Sequence, residues 1–191
     1  IYTGRFPRPG LFRTASDMLV TSAVKSIATF DAQPLALNLL QSKAQPKSRF
    51  RRPAAGSQGT ALVYYSPAVM DVSLTLDLTI VFDTFSKELF DAAGNLMQSA
   101  AGVPLFFAQS TYLLGAAVFT KLVGSATDRL MDGVPSFQVS EPLDIELAGN
   151  SRLSSGFLLL FDGNLDPHFR DHFRVNDQGE VIRPDVGTET A

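Results

Sequence analysis

The chain has 191 residues, 45% hydrophobic and 18% charged, with a formal net charge of −3. That length and balance suit one domain over residues 1–191, able to bury a full core without staples. There is no cysteine, which excludes disulfides and thiolate metal sites and fits a reducing, cytoplasmic setting.

The modest net charge hides a division along the chain. Residues 1–60 carry nine Lys/Arg and two Asp/Glu, whereas residues 61–191 carry seven and seventeen. An asymmetry of this kind points to a basic surface for phosphates or anionic lipid, or to two halves that neutralise each other on folding. The start, "IYTGRFPRPGLFR", has three arginines and two prolines but no apolar stretch of a secretory signal. Residues 1–16 are read as an arginine-rich arm. Ile rather than Met stands first, so a piece of a longer protein is expected.

"MLVTSAVKSI" (18–27) and "LALNLLQS" (35–42) read as strands about a turn at "DAQP". "KAQPKSRFRRPAAGSQG" (43–59) follows as a basic loop, rich in Pro, Gly and Ser. "ALVYYSP" (61–67) is a short expected strand. "DVSLTLDLTIVFD" (71–83) is the clearest element. Val72, Leu74, Leu76, Leu78, Ile80 and Phe82 alternate with Ser73, Thr75, Asp77, Thr79 and, after Val81, Asp83. Period two predicts a strand with one buried and one solvated face, of the kind found in antiparallel sheets. At that length, roughly 40 Å, a bulge or sharp twist is expected within it.

The period then changes. Leu89, Phe90, Ala93, Leu96, Met97 and Ala100 lie on one helical face, with Ser86 as N-cap, Gly102 past the end and Pro104 as a stop. A second helix is expected from about Ser110 to Met131. The apolar run at 103–123 has the length of a membrane span, but Pro104, the Gln109-Ser110-Thr111 cluster and Lys121 favour a buried helical hairpin. "SFQVSEPLDIEL" (136–147) alternates again, with Pro142 marking an edge or a break. "GFLLLF" (156–161) has the composition of a buried strand. "FRVNDQGEVI" (173–182) reads as a hairpin about "NDQG".

These elements predict an antiparallel two-layer β-sandwich with a helical hairpin inserted at about 86–132. At the level of fold alone, that arrangement loosely resembles a C2-like domain, and the resemblance implies no function.

Two stretches carry chemistry. In "FDGNLDPHFRDHF" both histidines of the chain, His168 and His172, stand four residues apart among Asp162, Asn164, Asp166 and Asp171. Asp162, Asn164 and Asp166 have the spacing of a calcium loop. Pro167 and Phe173 occupy its sixth and twelfth positions, which demand Gly and Glu, so an EF-hand is rejected. A helical turn over 166–173 would bring His168 and His172 to one face, where Asp162 and Asp166 would complete a zinc or irregular calcium site. The alternative is a polar turn whose side chains satisfy local amides.

The second stretch is the basic loop. Lys43, Lys47, Arg49, Arg51 and Arg52 surround Phe50. Arginine forks suit phosphates, and Phe50 suits an interface. Nucleic acid would need a wider basic surface, given the acidic remainder of the chain. No nucleophile elbow, Walker loop or dinucleotide fingerprint occurs. No cofactor is expected, calcium or zinc excepted should 162–172 bind metal. The sequence therefore reads first as a non-catalytic module docking a partner protein or an anionic membrane surface. A metal-binding or hydrolytic domain centred on 162–172 and a structural assembly subunit are the alternatives.

Overall fold

The computed structural model describes residues 16–26, 35–45, 59–61, 63, 73–91, 136–144, 168, 172–177 and 180–182. The chain divides into two compact units, Ile1–Arg152 and Leu153–Ala191. The described part is mainly antiparallel β.

In the first unit four strands form one sheet: β1 (Ser16–Ser26), β2 (Leu35–Ala44), β3 (Ser73–Asp83) and β4 (Ser136–Asp144). Their order is β2-β1-β3-β4, with every neighbouring pair antiparallel. All four strands fall on stretches read as strands, at 18–27, 35–42, 71–83 and 136–147. β4, which holds Pro142, lies at the end of the order. A residue with no N–H is tolerated best there.

Of the bulge or sharp twist expected in β3, no bulge occurs over Ser73–Asp83. Its register with β1 runs unbroken from Asp17↔Asp83 to Ser26↔Leu74, and with β4 from Ser73↔Asp144 to Val81↔Ser136. The irregularities lie in β2 instead. Met18 faces Gln41 while Ser16 faces Ala44, and Val20 faces Leu39 while Thr21 faces Leu37. In each interval β2 spends one residue more than β1, which defines a bulge. Lys43 takes a φ of 50° within the first bulge, and Asn38 is the extra residue of the second.

One face of the sheet carries a cluster of Met18, Val20, Leu39, Ala44 and Ile80, with Leu78, Phe82 and Phe137 packed against it. The registers explain the grouping, since Met18 opposes Phe82, and Ile80 opposes both Val20 and Phe137. Opposed residues share a face. β1 is buried on its other face too, through Leu19, Thr21 and Ala23. Val81, the residue that broke the alternation of the 71–83 stretch, opposes Leu19, and both are fully buried. The polar face of β3 is therefore not open to water along its whole length. Thr75, Asp77 and Thr79 are half-buried.

After β3 the chain enters a helix at residues 87–91. Ser86 caps it as expected: its Oγ accepts the Leu89 N–H at 3.3 Å, and its carbonyl accepts those of Leu89 at 3.1 Å and Phe90 at 3.4 Å. Lys87 and Asp91 pair at 2.8 Å one turn apart, and the Asp91 hydrogen bond and charge raise the Lys87 pKa. The rest of the stretch read as a helical insertion, residues 92–132, lies outside the described residues, as does the stretch 156–161 read as a strand. Residues 61 and 63, read as part of a strand, are not strand in the structure. Among the described residues, no helix is long and apolar enough to cross a membrane.

The second unit contains the expected hairpin, β5 (Arg174–Val175) paired antiparallel with β6 (Val181–Ile182). Asn176 closes its loop. The Asn176 backbone N–H donates to the Glu180 carbonyl at 2.9 Å, and the Asn176 Oδ1 accepts the Glu180 N–H at 2.8 Å. This is the local side-chain bonding that suits Asn to turns.

Candidate functional site

The antiparallel order brings the first residues of β1 and β4 and the last residues of β2 and β3 to one end of the sheet. The basic loop leaves β2 from this end. Its first cation, Lys43, is exposed and sits in the bulge with the left-handed φ. A lysine in that conformation costs on the order of 1 kcal/mol. Asp17 offsets the strain. Its Oδ1 accepts the Lys43 N–H at 2.9 Å. Its Oδ2 accepts the Phe85 N–H at 3.0 Å. One carboxylate thus ties the exit of β2 to the exit of β3.

The far end of the loop is fixed as well. Thr60 N–H donates to the Leu37 carbonyl at 3.0 Å, and Asn38 Nδ2 donates to the Thr60 carbonyl at 3.1 Å. Gly59, at a φ of 143°, lies so close to β2 that a Cβ built on it would stand 2.1 Å from the Asn38 carbonyl oxygen. Only glycine fits there. The loop is therefore pinned to β2 at both ends, by Lys43 and by residues 59 and 60. Of the cations expected to bind, the structure describes Lys43. Lys47, Arg49, Phe50, Arg51 and Arg52 lie outside the described residues.

A second polar group crosses the sheet itself. Lys25 of β1 pairs with Asp77 Oδ2 of β3, and Ser140 Oγ of β4 donates to Asp77 Oδ1 at 2.6 Å. Burial alone would raise the Asp77 pKa. The Lys25 and Ser140 hydrogen bonds and the Lys25 charge outweigh it, and the net value is lowered. A serine beside an aspartate invites a nucleophilic reading, but a carboxylate that holds its proton this weakly is a poor base for a hydroxyl. The three side chains tie β1, β3 and β4 in register. The sequence placed Asp77 on a polar face; its two partners emerge only from the strand pairing.

At the other expected site, His168 lies in a turn and His172 is helical, and both are exposed. Asp162 and Asp166 lie outside the described residues, as do Asn164 and Asp171. Among the described residues, no group of three or more His, Asp or Glu is placed to hold a metal ion. Sequence reasoning missed Asp17. A single aspartate ahead of an apolar strand carries no spacing signal, because both groups it binds are distant in sequence.

No protein-family model, curated protein or solved structure matches the chain.

Proposed function

We propose that the chain is a non-catalytic interaction module that docks on an anionic surface through its basic loop, residues 43–59. The observation that carries this reading is the double anchoring of the loop. Asp17 holds the backbone at Lys43, and Gly59 and Thr60 lie against Leu37 and Asn38. A loop held at both ends loses less entropy when it binds than a free tail does. Its Lys47, Arg49, Arg51 and Arg52 supply charge, and Phe50 supplies an apolar contact. The acidic remainder of the chain, residues 61–191, disfavours anionic contact elsewhere.

The test is binding of the whole chain to immobilised polyanion and to anionic vesicles at low and high salt. Neutralising Arg49, Arg51 and Arg52 to Gln should weaken binding by roughly tenfold or more at low salt, and high salt should abolish the difference. Wild-type binding by that triple variant would remove the loop as the contact.

A further inference from the structure

The strained residue at the end of β2 and the entry to the helix meet at one carboxylate. Lys43 holds a φ of 50°, in the left-handed region. Residues with a Cβ are biased against that region by about five- to thirtyfold. Asp17 holds it there, because its Oδ1 accepts the Lys43 N–H at 2.9 Å. The Oδ2 of the same carboxylate accepts the Phe85 N–H at 3.0 Å. Phe85 is 8% exposed and immediately precedes Ser86, the helix cap. An apolar residue at that position fixes the angle at which the chain enters its helix. The start of the basic loop and the start of the helix, remote in sequence, therefore share Asp17 as acceptor.

Two bonds to one carboxylate are not independent. Together they fix both side-chain torsions of Asp17. Loss of either returns rotational freedom that the other must then restrain alone. Asp83 stands directly opposite Asp17 in the β1–β3 register, and a like charge there raises the cost of leaving Asp17 without its donors.

We infer that Asp17 is a latch with two positions. When it is closed, Lys43 is left-handed and both amides are bonded. When it is open, Lys43 relaxes to extended backbone, the bulge at the end of β2 loosens, and Phe85 loses a firmly aimed acceptor. A change imposed on the backbone at Lys43 is thus felt at Phe85, and through Phe85 at the helix entry. This goes beyond the docking role proposed for the loop. It supplies a route by which engagement of the loop is passed to the helix, and it stands whether or not the loop is the contact.

The experiment is amide hydrogen exchange of the full chain, read by NMR at residues 43 and 85. The Thr60 amide, bonded to the Leu37 carbonyl at the other end of the loop, is the reference. The latch is perturbed at one end and read at the other. Lys43→Gly keeps the N–H and removes the left-handed penalty. Lys43→Asn lowers that penalty without the extra freedom of glycine in the open form. Both should raise protection of the Phe85 amide by about two- to fivefold, with Thr60 unchanged. In an Asp17→Asn background, which lacks one acceptor oxygen, Lys43→Gly should leave Phe85 unchanged. Should that background fail to fold, the two Lys43 variants alone decide.

A rise at residue 43 alone would show two independent bonds and overturn the latch. An equal rise at Thr60 would assign the effect to the sheet as a whole and overturn it too. A rise at Phe85 that persists with Asp17→Asn would take the coupling away from Asp17. Exchange is read without any ligand, so failure of the loop as a contact and failure of the latch are separate outcomes.

Discussion

Asp17 holds two backbone amides at once, Lys43 N–H at 2.9 Å and Phe85 N–H at 3.0 Å. Asp17→Ala strands both, and the half-buried Phe85 amide has less access to water as a substitute. The expected loss is about 1–3 kcal/mol in a urea titration, with Asp17→Asn in between because it keeps one acceptor. A midpoint equal to wild type for Asp17→Ala would show that the two bonds are replaced by water at no cost. Gly59 is a harsher case. A methyl group there would meet the Asn38 carbonyl oxygen at 2.1 Å, and its φ of 143° is one that side-chain-bearing residues rarely adopt. Gly59→Ala is expected to cost roughly 2–3 kcal/mol, well above a typical surface change. In a chain of this size that appears as a fall in Tm of about 4–12 °C. An unchanged Tm would place Gly59 away from β2.

The elements divide by how locally they are encoded. The 73–83 strand was legible because its alternation is set residue by residue, and the 174–182 hairpin because Asn176 makes its own turn contacts. Ser86 was legible for the same reason, since it binds amides three and four residues on. Ser86→Ala is accordingly expected to lower stability by about 1 kcal/mol, while Ser86→Asp restores it. The bulges of β2 were not legible. "LALNLLQSKA" contains no glycine to mark them, and Lys43 adopts its positive φ because a carboxylate 26 residues away holds its amide. Burial on both faces of β1 was hidden for a related reason, since Thr21 and Ser22 are polar yet lie in the core. Residue types alone suggested the 162–172 and 43–59 stretches as candidate sites, and which of their residues meet depends on contacts that spacing does not encode. The Lys25–Asp77–Ser140 group gives an element-scale test. The Asp77 pKa is held below its ordinary value of 3.8, so its charge stabilises the fold above that pH. The contribution is lost as pH falls through the lowered value. Asp77→Asn should therefore cost up to about 1 kcal/mol at neutral pH, and the gap to wild type should close below about pH 4. A gap that persists at acid pH would mean that packing, not the ion pair, carries the effect.

At the scale of the molecule the charge division admits two physical outcomes that salt separates. Residues 1–60 carry nine Lys/Arg against two Asp/Glu, and residues 61–191 carry seven against seventeen. If the two halves neutralise each other in the folded chain, their attraction stabilises the fold. Screening within a Debye length of about 8 Å would then lower Tm steadily as salt rises. If the arm and loop instead face outward to an anionic surface, they contribute little to folding, and salt acts on binding. The bonds that hold the loop at Lys43 and Thr60 are made by backbone amides and use none of its arginines, which fits the second outcome. The expected result is a stability that moves by less than about 0.5 kcal/mol between low and high salt, while partitioning onto anionic vesicles falls by on the order of a hundredfold. Thermal melts and co-sedimentation across one salt series measure both quantities on the same protein. A Tm that falls with salt while binding stays weak throughout would return the arginines to the acidic half of their own chain.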